Sequence, residues 1–163
     1  MDRPRILVAQ PKKSYLAVTA RRISEQGYRV SAAATVHEAM AELYRQPVGL
    51  VLAELKEPGF SGAELVRMIR DDAALRDTPI LLFTGRSDHS AAIQALRLGA
   101  DGVVKKPFHF EVLCARIDRE LERKRALDEL RADNRVLDAR VVQRAIELGE
   151  LRDQLRKDPT VRR

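Results

Sequence analysis

The sequence predicts an α/β fold: a doubly wound parallel sheet of (βα)5 order, with the fifth helix extended into a coiled coil. Three observations predict it. Five short, uniformly apolar runs recur between residues 5 and 105, and amphipathic helical stretches separate them. Strands buried on both faces read as continuous apolar runs, and strands alternating with helices build a parallel sheet. Beyond residue 119 the pattern changes: residues 120–163 hold 22 charged side chains, no aromatic, one Gly and one Pro, which is the composition of a long charged helix.

Each element follows in order. Ile6-Leu7-Val8-Ala9 is the first strand, and a helix from about Ser14 to Gln26 carries Tyr15, Leu16, Val18, Thr19 and Ile23 before Gly27 stops it. Tyr28 to Ala32 is the second strand. Thr35 caps the next helix, with Glu38 completing a capping box, and Val36, Ala39, Met40, Leu43 and Tyr44 run along it to Pro47. Leu50 to Ala53 is the third strand, Pro58 to Gly62 a loop, and Leu65, Val66, Met68 and Ile69 mark a third helix. Pro79 to Phe83 is the fourth strand. Ala91 to Leu98 is the fourth helix, closed by Gly99, and Val103-Val104 is a short fifth strand before Lys106-Pro107. Ligand sites of such sheets lie at the carboxyl ends of the strands. Those ends are Ala9-Gln10-Pro11, Glu54, Thr84 and Lys106.

Composition narrows the function classes. The chain of 163 residues is 45% hydrophobic, enough for a core. No apolar stretch approaches the ~20 residues that span a bilayer, so neither a membrane span nor a signal peptide is expected. A single cysteine, Cys114, makes no intrachain disulfide and fits a reducing cytoplasm. The net charge of +6 divides into +4 for residues 1–119 and +2 for the remainder, so no basic arm stands out. The densest basic segment, Arg116, Arg119, Arg123, Lys124 and Arg125, is interleaved with Asp118, Glu120 and Glu122, unlike a DNA-binding basic zipper. Nucleic acid is therefore not an expected partner. His37, His89 and His109 fall on different elements without metal-ligand spacing, and Cys114 sits near Leu113 and Ile117 as a small core residue.

Several local motifs punctuate these elements: Gln26-Gly27-Tyr28-Arg29-Val30, Pro58-Gly59-Phe60-Ser61-Gly62, Thr78-Pro79-Ile80, Gly99-Ala100-Asp101 and Lys106-Pro107-Phe108. With them, Arg5 to about Arg119 resembles the receiver domain of two-component response regulators, a flavodoxin-like fold. The resemblance implies an Asp phosphoacceptor at the end of the third strand and Mg²⁺ held by that Asp and an acidic pair after the first strand. It also implies a Thr or Ser and a Lys on the phosphoryl oxygens.

This sequence departs from that set. The acidic pair falls on Gln10 and Pro11, so neither position supplies a carboxylate to Mg²⁺. Glu54 occupies the phosphoacceptor position with a side chain one methylene longer than Asp, and ~1 Å of misplacement costs ~10²-fold in such chemistry. Thr84 and Lys106 are retained, and Val103 replaces the aromatic expected at the switch position. The expected protein is a pseudo-receiver without a catalytic residue, bound metal or cofactor. Two readings of Glu54 stay open. It pairs with Lys106 and accepts a hydrogen bond from Thr84, mimicking a phosphoryl group, or it forms a plain ion pair with Lys106. Lys12, Lys13, Lys56, Arg86, Lys105 and Lys106 lie near the same rim, either as an anion site or as solvated cations.

The helix that begins after Pro107 turns Val112, Leu113 and Ile117 towards the sheet and has no strong stop before about 157, giving ~49 residues and ~73 Å at 1.5 Å per residue. Leu127, Leu130, Asn134, Leu137, Val141, Arg144, Leu148, Leu151 and Leu155 step alternately by 3 and 4, a heptad seam. With Leu127 at position a, Asn134 also falls at a, a device that favours two parallel strands in fixed register; an antiparallel pair, a four-helix assembly and a lone exposed helix stay open. Across a parallel pair Glu147 faces Arg152 favourably, Asp133 meets Asp138 unfavourably, and Arg144 at d snorkels.

The expected organisation is a receiver-like domain over residues 1–120, a dimerising coiled-coil helix over 121–158 and a tail over 159–163. The expected function is a phosphorylation-independent, non-enzymatic receiver of bacterial two-component-type signal transduction. It would act in the cytoplasm as a homodimerisation and protein-docking module, with a protein partner in its pathway. The alternatives are a weakly phosphorylatable response regulator, or a regulatory part of a larger protein whose output domain is missing.

Overall fold

A computed structural model describes residues 3–161. The five main strands are β1 (Arg5–Ala9), β2 (Arg29–Ala33), β3 (Leu50–Glu54), β6 (Ile80–Thr84) and β7 (Gly102–Lys105); β4 (Lys56–Glu57) and β5 (Phe60–Ser61) form a small separate hairpin. The sheet order is β2-β1-β3-β6-β7, every pair parallel. Helices α1 (Lys13–Glu25), α2 (Val36–Arg45), α3 (Gly62–Asp71), α4 (His89–Leu98) and α5 (Phe110–Lys157) alternate with the strands. This is the flavodoxin-like (βα)5 arrangement.

Strand periodicity of two sorts the apolar residues into two layers. Leu7, Ala9, Val51, Ala53, Ile80 and Leu82 face Ala39, Met40 and Leu43 of α2, Leu65, Val66 and Ile69 of α3, and Ala95 of α4. Ile6, Val8, Leu50, Leu52, Leu81, Phe83 and Val104 face Ile23 of α1 and Phe110, Leu113 and Ile117 of α5. Both faces are covered, which is why the strands read as unbroken apolar runs.

Strand length limits how many helical positions reach the sheet, and here the sequence reading was too generous. Tyr15, Val18, Tyr44, Met68 and Val112 are exposed rather than core. On α1 the buried or half-buried Leu16 and Ile23 lie seven apart on one face; Tyr15 and Val18 turn 100° or more away from it. On α5 the face is Phe110, Leu113 and Ile117, and Val112 points out.

The expected caps are present. Thr35 Oγ1 accepts from the Glu38 N–H at 3.0 Å while the Glu38 carboxylate accepts from the Ala34 N–H at 2.7 Å. Ser61 does the same at α3, accepting from the Glu64 N–H at 3.2 Å. Within the segment read as a loop, 58–62, Pro58 and Gly59 (φ +77°) turn the β4–β5 hairpin, Phe60–Ser61 are β5 and Gly62 opens α3. Gly62 is required by proximity: a Cβ there would collide with the Glu54 carbonyl oxygen and sit 2.9 Å from Leu55 Cα. Gly62→Ala is expected to destabilise the domain by about 3 kcal/mol or more, because backbone cannot yield as a side chain does. Urea denaturation reads this directly, and a loss under 1 kcal/mol would show that the loop relaxes.

The chain divides into two compact units after Lys124. That lies slightly beyond the expected boundary at 120, because Leu121 still packs against the α1/α5 core layer and Arg123 still pairs with Asp101 at 3.4 Å. The second unit contains the remainder of α5, whose seam side chains are exposed, and a 3-10 turn at Pro159–Val161 in the segment read as a tail. Residues 162 and 163 of that tail lie outside the described residues. Among the described residues no helix is long and apolar enough to cross a membrane.

Candidate functional site

Four strand ends converge at the carboxyl edge of the sheet. Gln10 follows β1, Glu54 closes β3, Thr84 closes β6 and Lys106 follows β7. Backbone bonds fix this edge: Gln10 N–H donates to the Ala33 carbonyl at 3.0 Å, Leu55 N–H to Phe83 at 2.9 Å and Lys106 N–H to Thr84 at 2.9 Å.

Glu54 is the centre of the arrangement, with its side chain 4% exposed. Gln10 Nε2 donates to Glu54 Oε1 at 2.6 Å, and Lys106 Nζ donates to the same oxygen at 2.5 Å. Gln10 is itself held, since its Oε1 accepts the Lys12 N–H at 3.2 Å. The amide is therefore oriented with its nitrogen toward the carboxylate. A carboxylate at this position would face Glu54 as a like charge, whereas the neutral amide satisfies it.

Position 11 is Pro, half-buried and without a side-chain donor atom. A Mg²⁺ ion needs oxygen ligands near ideal octahedral geometry, usually including one or two carboxylates. Here the amide nitrogen of Gln10 and the ammonium of Lys106 occupy the approach to Glu54 Oε1. Among the described residues no group of three acidic, His or Cys side chains could hold a metal. The donor set does not fit the Mg²⁺ that the receiver resemblance implies.

Of the two readings of Glu54, the one that adds a hydrogen bond from Thr84 lacks that bond: among the described residues the donors to the carboxylate are Gln10 and Lys106. Thr84 is buried at the end of β6, and its register partner is Lys105. The supposed cationic rim is also partly neutralised. Lys12 Nζ lies 3.5 Å from Glu57 and 5.6 Å from the Tyr15 ring centre, and Lys106 is spent on Glu54. These pairs border a cavity of about 270 Å³ walled by Phe83 and Phe108, which stack at 5.2 Å, and by Tyr15. Val103 is half-buried within β7. Sequence reasoning missed Glu57 and the bond from Gln10, because neither has a periodic or motif signal; only the spatial approach of two loops brings them together.

Away from this edge, His37, His89 and His109 are exposed. Cys114 is half-buried beside the α1/α5 layer rather than fully in the core, and burial pushes its thiol above the ordinary range, with Glu111 adding to the shift. That favours the unreactive thiol over the thiolate.

Comparisons with known proteins agree with the fold. A family model described as the response regulator receiver domain matches residues 6–118. The chain is 37% identical over 105 residues to the regulatory protein VanRB of Enterococcus faecalis, covering 64% of this chain and 46% of that protein. It is 30% identical over 142 residues to the sensory transduction protein RegX3 of Mycolicibacterium smegmatis, covering 87% and 61%. The signal receiver domain of a signal transduction histidine kinase from Syntrophus aciditrophicus superposes with a TM-score of 0.67 at 25% identity, over 73% of this chain and 90% of that one. The chain thus spans about half the length of the two relatives.

Proposed function

The chain belongs to the response regulator receiver domain family of two-component signalling, and we propose that it signals there without being phosphorylated. In this reading residues 1–120 are a pseudo-receiver, residues 121–158 a dimerising helix and 159–163 a tail. The protein is a non-enzymatic, cytoplasmic docking module that presents its surfaces to a partner protein as a homodimer.

One observation carries the proposal: the phosphoacceptor position is a buried carboxylate already neutralised by Lys106 and hydrogen-bonded by Gln10. Phosphoryl transfer needs a free nucleophile, a divalent ion and donors for the transferring group. At this site Glu54 Oε1 is engaged, the acidic pair is replaced by Gln10 and Pro11, and the Lys that would receive the phosphoryl oxygens is held by Glu54 instead. The same ion pair places the Lys106 ammonium where an acceptor's added negative charge would draw it. In the mimic reading Glu54 supplies permanently what phosphorylation supplies transiently; in the plain reading the pair only compensates the Lys106 charge.

The dimer rests on the heptad seam of α5. Its seven apolar members, from Leu127 to Leu155, are between 39% and 67% exposed in the single chain. Apolar surface of this extent at a 3.5-residue period is the requirement for a coiled-coil partner, and Asn134 at a favours the parallel pair.

Incubating the chain with acetyl phosphate and Mg²⁺, then measuring intact mass, tests the first part. No phosphoryl adduct is expected. An adduct mapped to Glu54 would contradict the proposal and favour a weakly phosphorylatable regulator.

A further inference from the structure

We infer that α5 carries a second self-association face, opposite the heptad seam, that joins copies of this chain antiparallel. This goes beyond the parallel dimer and uses different residues. Val136, Val142 and Ile146 are 52%, 60% and 51% exposed, and none belongs to the seam. At 3.6 residues per turn, these side chains together with Ala132 and Ala139 centre roughly 170° from the seam positions between Asn134 and Leu148. Charged residues fill the flanks between the two faces, Asp133, Arg140 and Glu147 on one side and Arg131 and Asp138 on the other, while Arg135, Gln143 and Glu150 fall within the arc of the second face. Single exposed apolar residues are ordinary on any surface. Three β-branched side chains and two alanines gathered within an arc of about 120° form a second apolar face, and a helix with two such faces needs two neighbours.

The occupant is a second copy, and complementarity sets its direction. When two of these faces meet antiparallel about a point between Val142 and Gln143, Ala139 of one copy lies level with Ile146 of the other, so small meets large. Val142 meets its own counterpart beside the two-fold axis. Arg135 lies level with Glu150 and within one turn of Asp153. Neither Arg135 nor Glu150 has an ion-pair partner among the described residues, so each is available to the other copy. A parallel arrangement in register would instead set Arg135 against Arg135 and Ile146 against Ile146, leaving Ala139 against Ala139. The alanine at the crossing allows the 8–10 Å axial separation of packed helices. Because this face lies opposite the seam, a parallel dimer exposes it twice, and association continues past the dimer as concentration rises.

Sedimentation velocity of the full chain from about 2 to about 200 µM tests this by mass action. The weight-average mass is expected to rise about twofold above the dimer across that range. Ile146→Lys should hold it at the dimer throughout; Arg135→Glu should do the same, and adding Glu150→Arg should restore the rise. In a Cys114→Ser background, Gln143→Cys should join two copies through a short bis-maleimide, including in a seam variant with Leu137→Lys and Leu148→Lys, which separates the two interfaces. A constant dimer mass for the wild-type chain overturns the inference. So does a rise that neither Ile146→Lys nor Arg135→Glu diminishes.

Discussion

Replacing Leu137 and Leu148 together by Lys is expected to convert the chain from dimer to monomer at about 5 µM. Both residues are on the seam, one at d and one at a, and they are 54% and 63% exposed in the single chain. Fully burying a leucine contributes about 1.5–3 kcal/mol, and the two substitutions act in both chains, so roughly 6 kcal/mol or more is lost before the cost of burying lysines. A micromolar dimer is held by only about 8 kcal/mol. The receiver core does not involve these positions, since its deepest α5 contributions are Phe110, Leu113 and Ile117. Its circular dichroism and thermal transition should therefore persist while sedimentation reports a monomer. A dimer that survives both substitutions would move the interface off the seam, onto the second face of α5 or onto the receiver, and adding Ile146→Lys tells these apart.

The second large effect concerns Lys106. Lys106→Met leaves the Glu54 carboxylate, 4% exposed, with the Gln10 amide as its remaining donor. Removing one partner of a buried ion pair typically costs about 3–5 kcal/mol because the other charge is stranded. Lys106 is 39% exposed, so water reaches its end of the pair and the loss falls below that range, to about 2 kcal/mol at neutral pH. Adding Glu54→Gln removes the stranded charge and should recover most of that loss. Urea denaturation of the two single variants and the double variant gives the coupling; a Lys106→Met change within 0.5 kcal/mol of wild type would mean the pair is not holding the site. Glu54→Gln alone also separates the two readings of the ion pair. If partner binding and dimerisation both survive it, the pair is structural and mimics nothing.

The fold was legible because its information is local and repeated. Five apolar runs, a capping box at Thr35 and glycines after helices mark the elements, and their alternation leaves one reasonable sheet. The depth of burial was less legible. Tyr15, Val18 and Val112 look like core residues in a list of apolar positions, yet strands of four or five residues reach only one narrow line of each helix. At the site, the positions of Gln10, Glu54, Thr84 and Lys106 followed from strand ends, and the ion pair of Glu54 with Lys106 followed from charge. Its second donor did not. A glutamine replacing an acid reads as a loss, and only its distance from Glu54 shows that it contributes a hydrogen bond. The Thr84 bond of the mimic reading is absent for the same reason: adjacency at a sheet edge does not determine where a hydroxyl points. The exposed Val136, Val142 and Ile146 of α5 carry no heptad signal, because a 3.5-residue period leaves every position off the seam to solvent.

The central claim is that this receiver assembles without phosphorylation, and sedimentation velocity at about 5 µM, with and without acetyl phosphate and Mg²⁺, tests it most directly. The predicted result is the same dimer in both conditions, with unchanged sedimentation coefficient and unchanged intact mass. A monomer that becomes a dimer only when phosphoryl donor and Mg²⁺ are both present would contradict it.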